Sequence, residues 1–170
     1  MNTCRTVSVP YYKGHMELHV PQEVLAGVLT SPFADSQSVP DPSELVRQAL
    51  RSPIGSAPLA ELARGKKNIL VVTSDHTRPV PSHITLPILT EELLQASPEA
   101  EITVLIATGL HRATTPEEQA VKFGSAMLEK FRFVVHDAFD QEQMRFVKIL
   151  PSGARFEVNR LALETDMLVT

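Results

Sequence analysis

Three short apolar runs constrain what this chain can fold into: Asn68–Thr73 (NILVVT), Glu101–Ala107 (EITVLIA) and Arg132–His136 (RFVVH). They are rich in β-branched residues and lack polar alternation, the pattern of strands buried on both faces. Helix signals lie between them. His83–Ala96 reads as a helix that Pro87 either kinks or delays. Thr115 is a helix cap, with Pro116 at the first position and Glu118 closing a capping box, and this helix is expected to run to about Phe131. Strand, helix, strand, helix, strand implies a parallel sheet with right-handed crossovers. The expected fold is therefore α/β, a parallel sheet with helices on both faces.

The flanking segments add detail. Thr6–Pro10 and Met16–Val20 read as the strands of a small N-terminal β-hairpin, around a Tyr11–His15 turn carrying Gly14. Ser31–Pro42 (SPFADSQSVPDP) is a loop by its turn residues. Asp41 then caps a helix with Pro42 first, Glu44 three residues on, and Leu45, Val46 and Leu50 on one side. A short helix from about Pro58 to Arg64 ends at Gly65. Met144–Leu150 and Phe156–Val158 look like a more polar strand pair around the Pro151–Gly153 turn. Residues 1–65 thus hold the hairpin and first helices, and residues 66–170 the parallel βαβ core. Asp166–Thr170 (DMLVT) reads as a further buried strand without the loop that should follow it. This ending suggests the N-terminal half of a two-domain protein.

Composition narrows the class of function. A formal net charge of −4 and the absence of any run of like charges argue against a nucleic-acid platform. No stretch approaches the roughly 18 apolar residues of a membrane span, and the N-terminus lacks a signal-peptide core. Cys4 is the sole cysteine, which excludes an internal disulfide and fits a reducing compartment, so a cytoplasmic location is expected.

Ligands of open parallel sheets bind outside the carboxyl ends of the strands. The loops there are SDHTRPVP (residues 74–81), TGLHR (residues 108–112) and His136-Asp137. Four of the six histidines, His76, His83, His111 and His136, fall on or near this edge. His111 suits general acid–base work, although a histidine before a capped helix also fits a plain surface role. Arg78, stiffened by neighbouring prolines, suits a bidentate grip on carboxylate or phosphate, or an ion pair with Asp75. Asp75 fits either a site role or a turn that bonds its own backbone. Thr108-Gly109 permits close backbone approach to a ligand. Arg112 reads as an ion-pair or capping residue, His76 and His83 as loop and helix-face residues, and His136 as a tie between loops. No GxGxxG, Walker loop, GxSxG elbow or Cys/His zinc spacing is present, and Cys4 near the terminus is a poor nucleophile.

Taken together, SDHTRPVP (74–81) and ATGLHRATTPEE (107–118) resemble the N-terminal domain of the nickel-dependent lactate racemase family. VPYYKGHMELHVP (9–21) and VVHDAFD (134–140) are similar to it too, so the resemblance covers nearly the whole chain. It implies racemisation or epimerisation of 2-hydroxy acids with a nickel-pincer nucleotide. A histidine takes the hydroxyl proton while the cofactor accepts hydride from Cα and returns it to either face of the keto acid. His111 matches the first of two acid–base histidines. Asp75 and Arg78 match the Asp-x-Thr-Arg-Pro motif, Arg78 as a clamp for substrate carboxylate or cofactor phosphate and Asp75 orienting cofactor or loop. Asp75, Thr77, Arg78, Thr108 and Gly109 are the cofactor-binding positions implied. The second histidine, the tethering lysine, the nickel-binding histidine and a closing C-terminal domain lie, in the family, beyond Thr170. The 170-residue chain is therefore expected to be inactive alone. Two other readings stay open: a non-catalytic anion- or nucleotide-binding domain, and a stand-alone hydrolase with His111 as base and an Asp partner, which lacks a nucleophile or metal set.

Overall fold

The computed structural model describes residues 3–31 and 40–170, in two compact units that divide between Val39 and Pro40. Most of the expected Ser31–Pro42 loop, residues 32–39, lies outside the described residues. The first unit is an antiparallel hairpin of β1 (Cys4–Tyr11) and β2 (Gly14–Pro21), paired from Cys4↔Pro21 to Tyr11↔Gly14. Its turn is Tyr12-Lys13, and Tyr12 takes the positive φ of 52°. Gly14, expected in the turn, is instead the first residue of β2.

The second unit opens with α1 (Pro42–Arg51) and α2 (Leu59–Ala63), both packed on α3 (Ser82–Ala96). Asp41 caps α1, its carboxylate accepting from the Ser43 amide at 3.3 Å. Leu45, expected on the inner side, is 44% exposed, while Val46 and Leu50 are half-buried. Gly65, with φ of 75°, follows the end of α2. β3 (Asn68–Ser74), β4 (Glu101–Ala107), β5 (Arg132–Val135) and β8 (Met167–Val169) form one parallel sheet in the order β5-β4-β3-β8. α3 starts at Ser82 and continues through Pro87.

The capping box is present as expected: Thr115 Oγ1 accepts from the Glu118 amide, and Glu118 Oε2 accepts from the Thr115 amide. The helix it starts does not reach Phe131. α4 (Pro116–Phe123) stops at Gly124, whose amide bonds to the Ala120 carbonyl and whose φ of 84° turns the chain out of the helix. α5 (Ser125–Lys130) restarts immediately.

Side-chain alternation divides the sheet into two faces. Ile69 and Val71, Ile102, Val104 and Ile106, and the half-buried Phe133 and Val135 form one cluster with Leu86, Leu93, Phe123 and Met127 from the helices. Consecutive right-handed crossovers stepping in one direction account for helices gathered on this face. On the other face Leu70 and Leu105 are also buried, and Leu161 in the 3₁₀ turn Arg160–Ala162 borders the Leu70 and Thr103 positions.

β6 (Met144–Ile149) and β7 (Arg155–Asn159) make a separate antiparallel pair. β8 joins β3 in register Ile69↔Met167. Asp166 sets its start: its carboxylate accepts from the Lys67 and Asn68 amides, each at 2.9 Å, and these bonds lower its pKa. No described helix is long and apolar enough to cross a membrane.

Candidate active site

Strand register brings the site together. Ser74 pairs with Ala107, so Asp75 and Thr108 leave adjacent strands side by side. Ile106 pairs with Val135, which brings His136 to the same edge. Thr108, buried, donates its hydroxyl to the His136 carbonyl at 2.6 Å, tying the second loop to the third strand. His136 also links to the β6–β7 pair, because Asn159 Nδ2 lies 3.2 Å from its Nδ1. This is the tie between loops expected from the sequence. Gly109 takes φ of 58°, and the His111 amide bonds to the Thr108 carbonyl at 3.0 Å, turning His111 back towards the first loop.

There His111 meets Asp75. His111 Nδ1 lies 2.6 Å from Asp75 Oδ2, with Asp75 2% and the His111 side chain 47% exposed. The other carboxylate oxygen, Oδ1, accepts from the Thr77 hydroxyl at 2.6 Å and the Thr77 amide at 3.1 Å. Burial pushes the Asp75 carboxyl up. The bonds from the Thr77 hydroxyl, His111 and the Thr77 amide, with the His111 charge, outweigh burial and hold Asp75 at about 2. Asp75 is therefore ionised at neutral pH and has no hydrogen to give. A neutral His111 must carry its hydrogen on Nδ1, which leaves Nε2 as a proton acceptor. A buried carboxylate that fixes the tautomer of a half-exposed imidazole and compensates its charge is the arrangement of a general base.

Asp75 thus fills the turn role raised by the sequence and also meets His111; an Asp partner for His111 was expected only under the hydrolase alternative, with no particular Asp named. Arg78 does not form the ion pair with Asp75. Its amide donates to the Asp75 carbonyl at 3.4 Å, and its exposed guanidinium has no partner among the described residues. Residues 72–75, Arg78 and residues 107–111 line a cleft of about 600 Å³. A second cleft, of about 460 Å³, lies on the other side of the His111 loop, between residues 108–113 and 135–139 with Gln143.

Arg112 forms the expected ion pair, a bidentate one with Glu118 at 2.6 and 2.8 Å. His76 Nδ1 sits 3.2 Å from Thr114 Oγ1, and His83 lies exposed on α3. Two residues escaped the sequence reading. The Ser74 hydroxyl at the end of β3 is buried without a hydrogen-bond partner among the described residues, and Ser74 borders the larger cleft. Its signal was a polar residue closing an apolar strand. Lys122 reaches from α4 to donate to the Arg78 carbonyl at 2.9 Å, a tie that no local pattern announces.

Residues 11–170 match the lactate racemase N-terminal domain family. The chain belongs to this family. It is 44% identical over 163 residues to the lactate racemase of Thermoanaerobacterium thermosaccharolyticum, covering 96% of this chain and 38% of that protein. It is 41% identical over 164 residues to the lactate racemase of Lactiplantibacillus plantarum, covering 96% of this chain and 39% of that protein. The solved apoprotein structure of the Thermoanaerobacterium enzyme superposes with a TM-score of 0.87 at 43% identity, over 96% of this chain and 38% of that one. A Thermotoga maritima protein structure matches with a TM-score of 0.60 at 28% identity, over 74% of this chain and 32% of that one. The chain therefore spans under two fifths of the length of the two lactate racemases, as the N-terminal part.

Proposed function

We propose that this chain is the N-terminal catalytic portion of a nickel-pincer-nucleotide-dependent 2-hydroxy acid racemase or epimerase, with His111 as general acid and base. The Asp75–His111 pair carries the reading: a tautomer-fixed imidazole at the strand ends of a lactate racemase family domain. His111 Nε2 takes the proton of the substrate hydroxyl as the Cα–H bond is broken, and Asp75 stabilises the imidazolium that forms. In the return direction the same nitrogen gives the proton back to the alkoxide.

The residues of the larger cleft fit an anionic nucleotide. Among the described residues the exposed Arg78 guanidinium and the Ser74 hydroxyl have no partner, and a Cβ at Gly109 would meet nothing within 4 Å, so the backbone is open there. Arg78 would grip either the cofactor phosphate or the substrate carboxylate. Asp75, Thr77, Thr108 and Gly109 would shape the cofactor's edge of the site, Thr77 and Thr108 by holding the loops that their hydroxyls already tie. When bound, the cofactor supplies a pyridinium ring that accepts hydride from Cα and returns it to either face. Its nickel ligands, the second histidine and a closing domain would come from sequence following Thr170, so the 170-residue chain should show no turnover alone.

The exposed Arg78 guanidinium, without a partner among the described residues, also supports a second reading, a non-catalytic anion-binding domain, which predicts saturable phosphate binding and no racemisation in any longer protein. The deciding experiment uses the chain extended through its C-terminal domain and loaded with cofactor. Lactate should racemise in deuterated water without gaining deuterium at Cα. Deuterium at Cα would overturn the hydride route, and absence of racemisation across a panel of 2-hydroxy acids would favour the anion-binding reading.

A further inference from the structure

Asp75 and His111 sit on two separate loops, yet their atoms meet at 2.6 Å with the imidazole half in solvent. Such a pair holds its geometry only if both loops are fixed elsewhere. Both are fastened to α4. Glu118 binds the second loop, accepting two bonds from the Arg112 guanidinium, at 2.6 and 2.8 Å, and one from the Thr115 amide at 2.9 Å. Gln119 adds a bond from Nε2 to the Thr114 carbonyl at 3.0 Å. One turn further, Lys122 binds the first loop through the Arg78 carbonyl at 2.9 Å. Glu118 and Lys122 are four residues apart and so share a helix face. Glu118 also touches the first loop, its Oε2 lying 3.7 Å from His76 Nδ1.

We propose that Glu118 and Lys122 are positioning residues, one for each loop, which together hold Asp75 and His111 in register. The proposal rests on Asp75–His111 being the working pair. It assigns Arg112 a role through Glu118: the residue next to His111 is clamped, so His111 itself is free to turn only about its own side chain. The electrostatics agree. The Arg112 hydrogen bonds, followed by the Thr115 amide, hold Glu118 at about 2, so the clamp stays charged throughout the neutral range. Burial lowers the Lys122 pKa while the Asp75 charge opposes that shift.

The test reads His111 directly and needs no turnover. Nuclear magnetic resonance of isotope-labelled histidine rings in the 170-residue chain reports whether His111 carries its hydrogen on Nδ1, bonded to Asp75, or on Nε2. Glu118→Gln and Lys122→Met should each lower the ratio of the Nδ1–H form to the Nε2–H form roughly fivefold, the weight of one net hydrogen bond, while circular dichroism shows the fold retained. Lys122→Arg, which keeps a donor for the Arg78 carbonyl, should restore the ratio. Glu164→Gln, which loosens the exposed Arg160–Glu164 pair away from both loops, should leave it unchanged. A merely structural role would lower the melting temperature without moving the tautomer of the folded chain. Wild-type His111 spectra in both Glu118→Gln and Lys122→Met would overturn the proposal, and a change in only one would remove the role from the other. Because this readout is independent of racemisation, failure of the enzymatic reading would appear separately, as intact His111 pairing without turnover in the extended, cofactor-loaded protein.

Discussion

Replacing Asp75 with Asn tests the pair with almost no change of shape. Both Asp75 oxygens accept hydrogen bonds, Oδ1 from Thr77 and Oδ2 from His111 Nδ1. An amide offers one acceptor and one donor. With its oxygen kept by Thr77, which donates twice, the amide NH2 faces His111. The ring then accepts at Nδ1 and carries its hydrogen on Nε2, where it can no longer take a proton from a substrate hydroxyl. Loss of charge adds to this. With about 4 Å between charge centres and an effective dielectric of about 20, the carboxylate–imidazolium attraction is about 4 kcal/mol. His111 is 47% exposed, and solvent reduces the attraction to about 2 kcal/mol, roughly 30-fold in rate. The wrong tautomer multiplies this by about tenfold or more, so kcat should fall by about two to three orders of magnitude with KM little changed. Initial rates on one enantiomer of lactate, followed by chiral chromatography with the extended, cofactor-loaded protein, measure it. A kcat within about threefold of the parent's would show that Asp75 neither fixes the His111 tautomer nor stabilises its charge.

The depressed Asp75 pKa also makes stability depend on acid. A carboxyl at about 2 in the fold and 3.8 outside it contributes stability that is fully present above pH 3.8 and lost as pH falls through about 2. The contribution is about 2 kcal/mol, so urea midpoints should fall over this window in the parent and fall less in Asp75→Asn. Leu93→Ala removes a fully buried α3 side chain from the core and should cost about 2–5 kcal/mol, read as a lower urea midpoint at unchanged slope. Gly124→Ala places a Cβ at φ of 84° and should cost about 1 kcal/mol or more, although nothing lies within 4 Å of that Cβ; a melting temperature equal to the parent's would show that the backbone there relaxes.

The βαβ core was legible because its signals are local. Glu101–Ala107 has the same bounds in sequence and structure, and the Thr115 capping box is formed as its residues require. The break at Gly124 was missed because apolar spacing continues across it into α5, and only the φ of 84° shows that the glycine ends α4. Gly14 misled for the opposite reason: Tyr12 adopts the positive φ that glycine usually supplies. For the site, the loops carrying Asp75, Arg78 and His111 followed from the rule that parallel strands present ligand loops at one edge. Their partners did not. Asp75 reaches His111 because Ser74 pairs with Ala107, and the sequence does not state that register. Lys122 reaches the Arg78 carbonyl across 44 residues of sequence, and such a tie leaves no local trace.

The role of His111 is tested most directly by His111→Ala in the extended protein loaded with nickel-pincer nucleotide, assayed by chiral chromatography against a panel of 2-hydroxy acids. The parent should interconvert one enantiomeric pair, and the variant should bind cofactor equally but lose turnover by about two orders of magnitude or more. Interconversion by His111→Ala at the parent's rate would contradict that role.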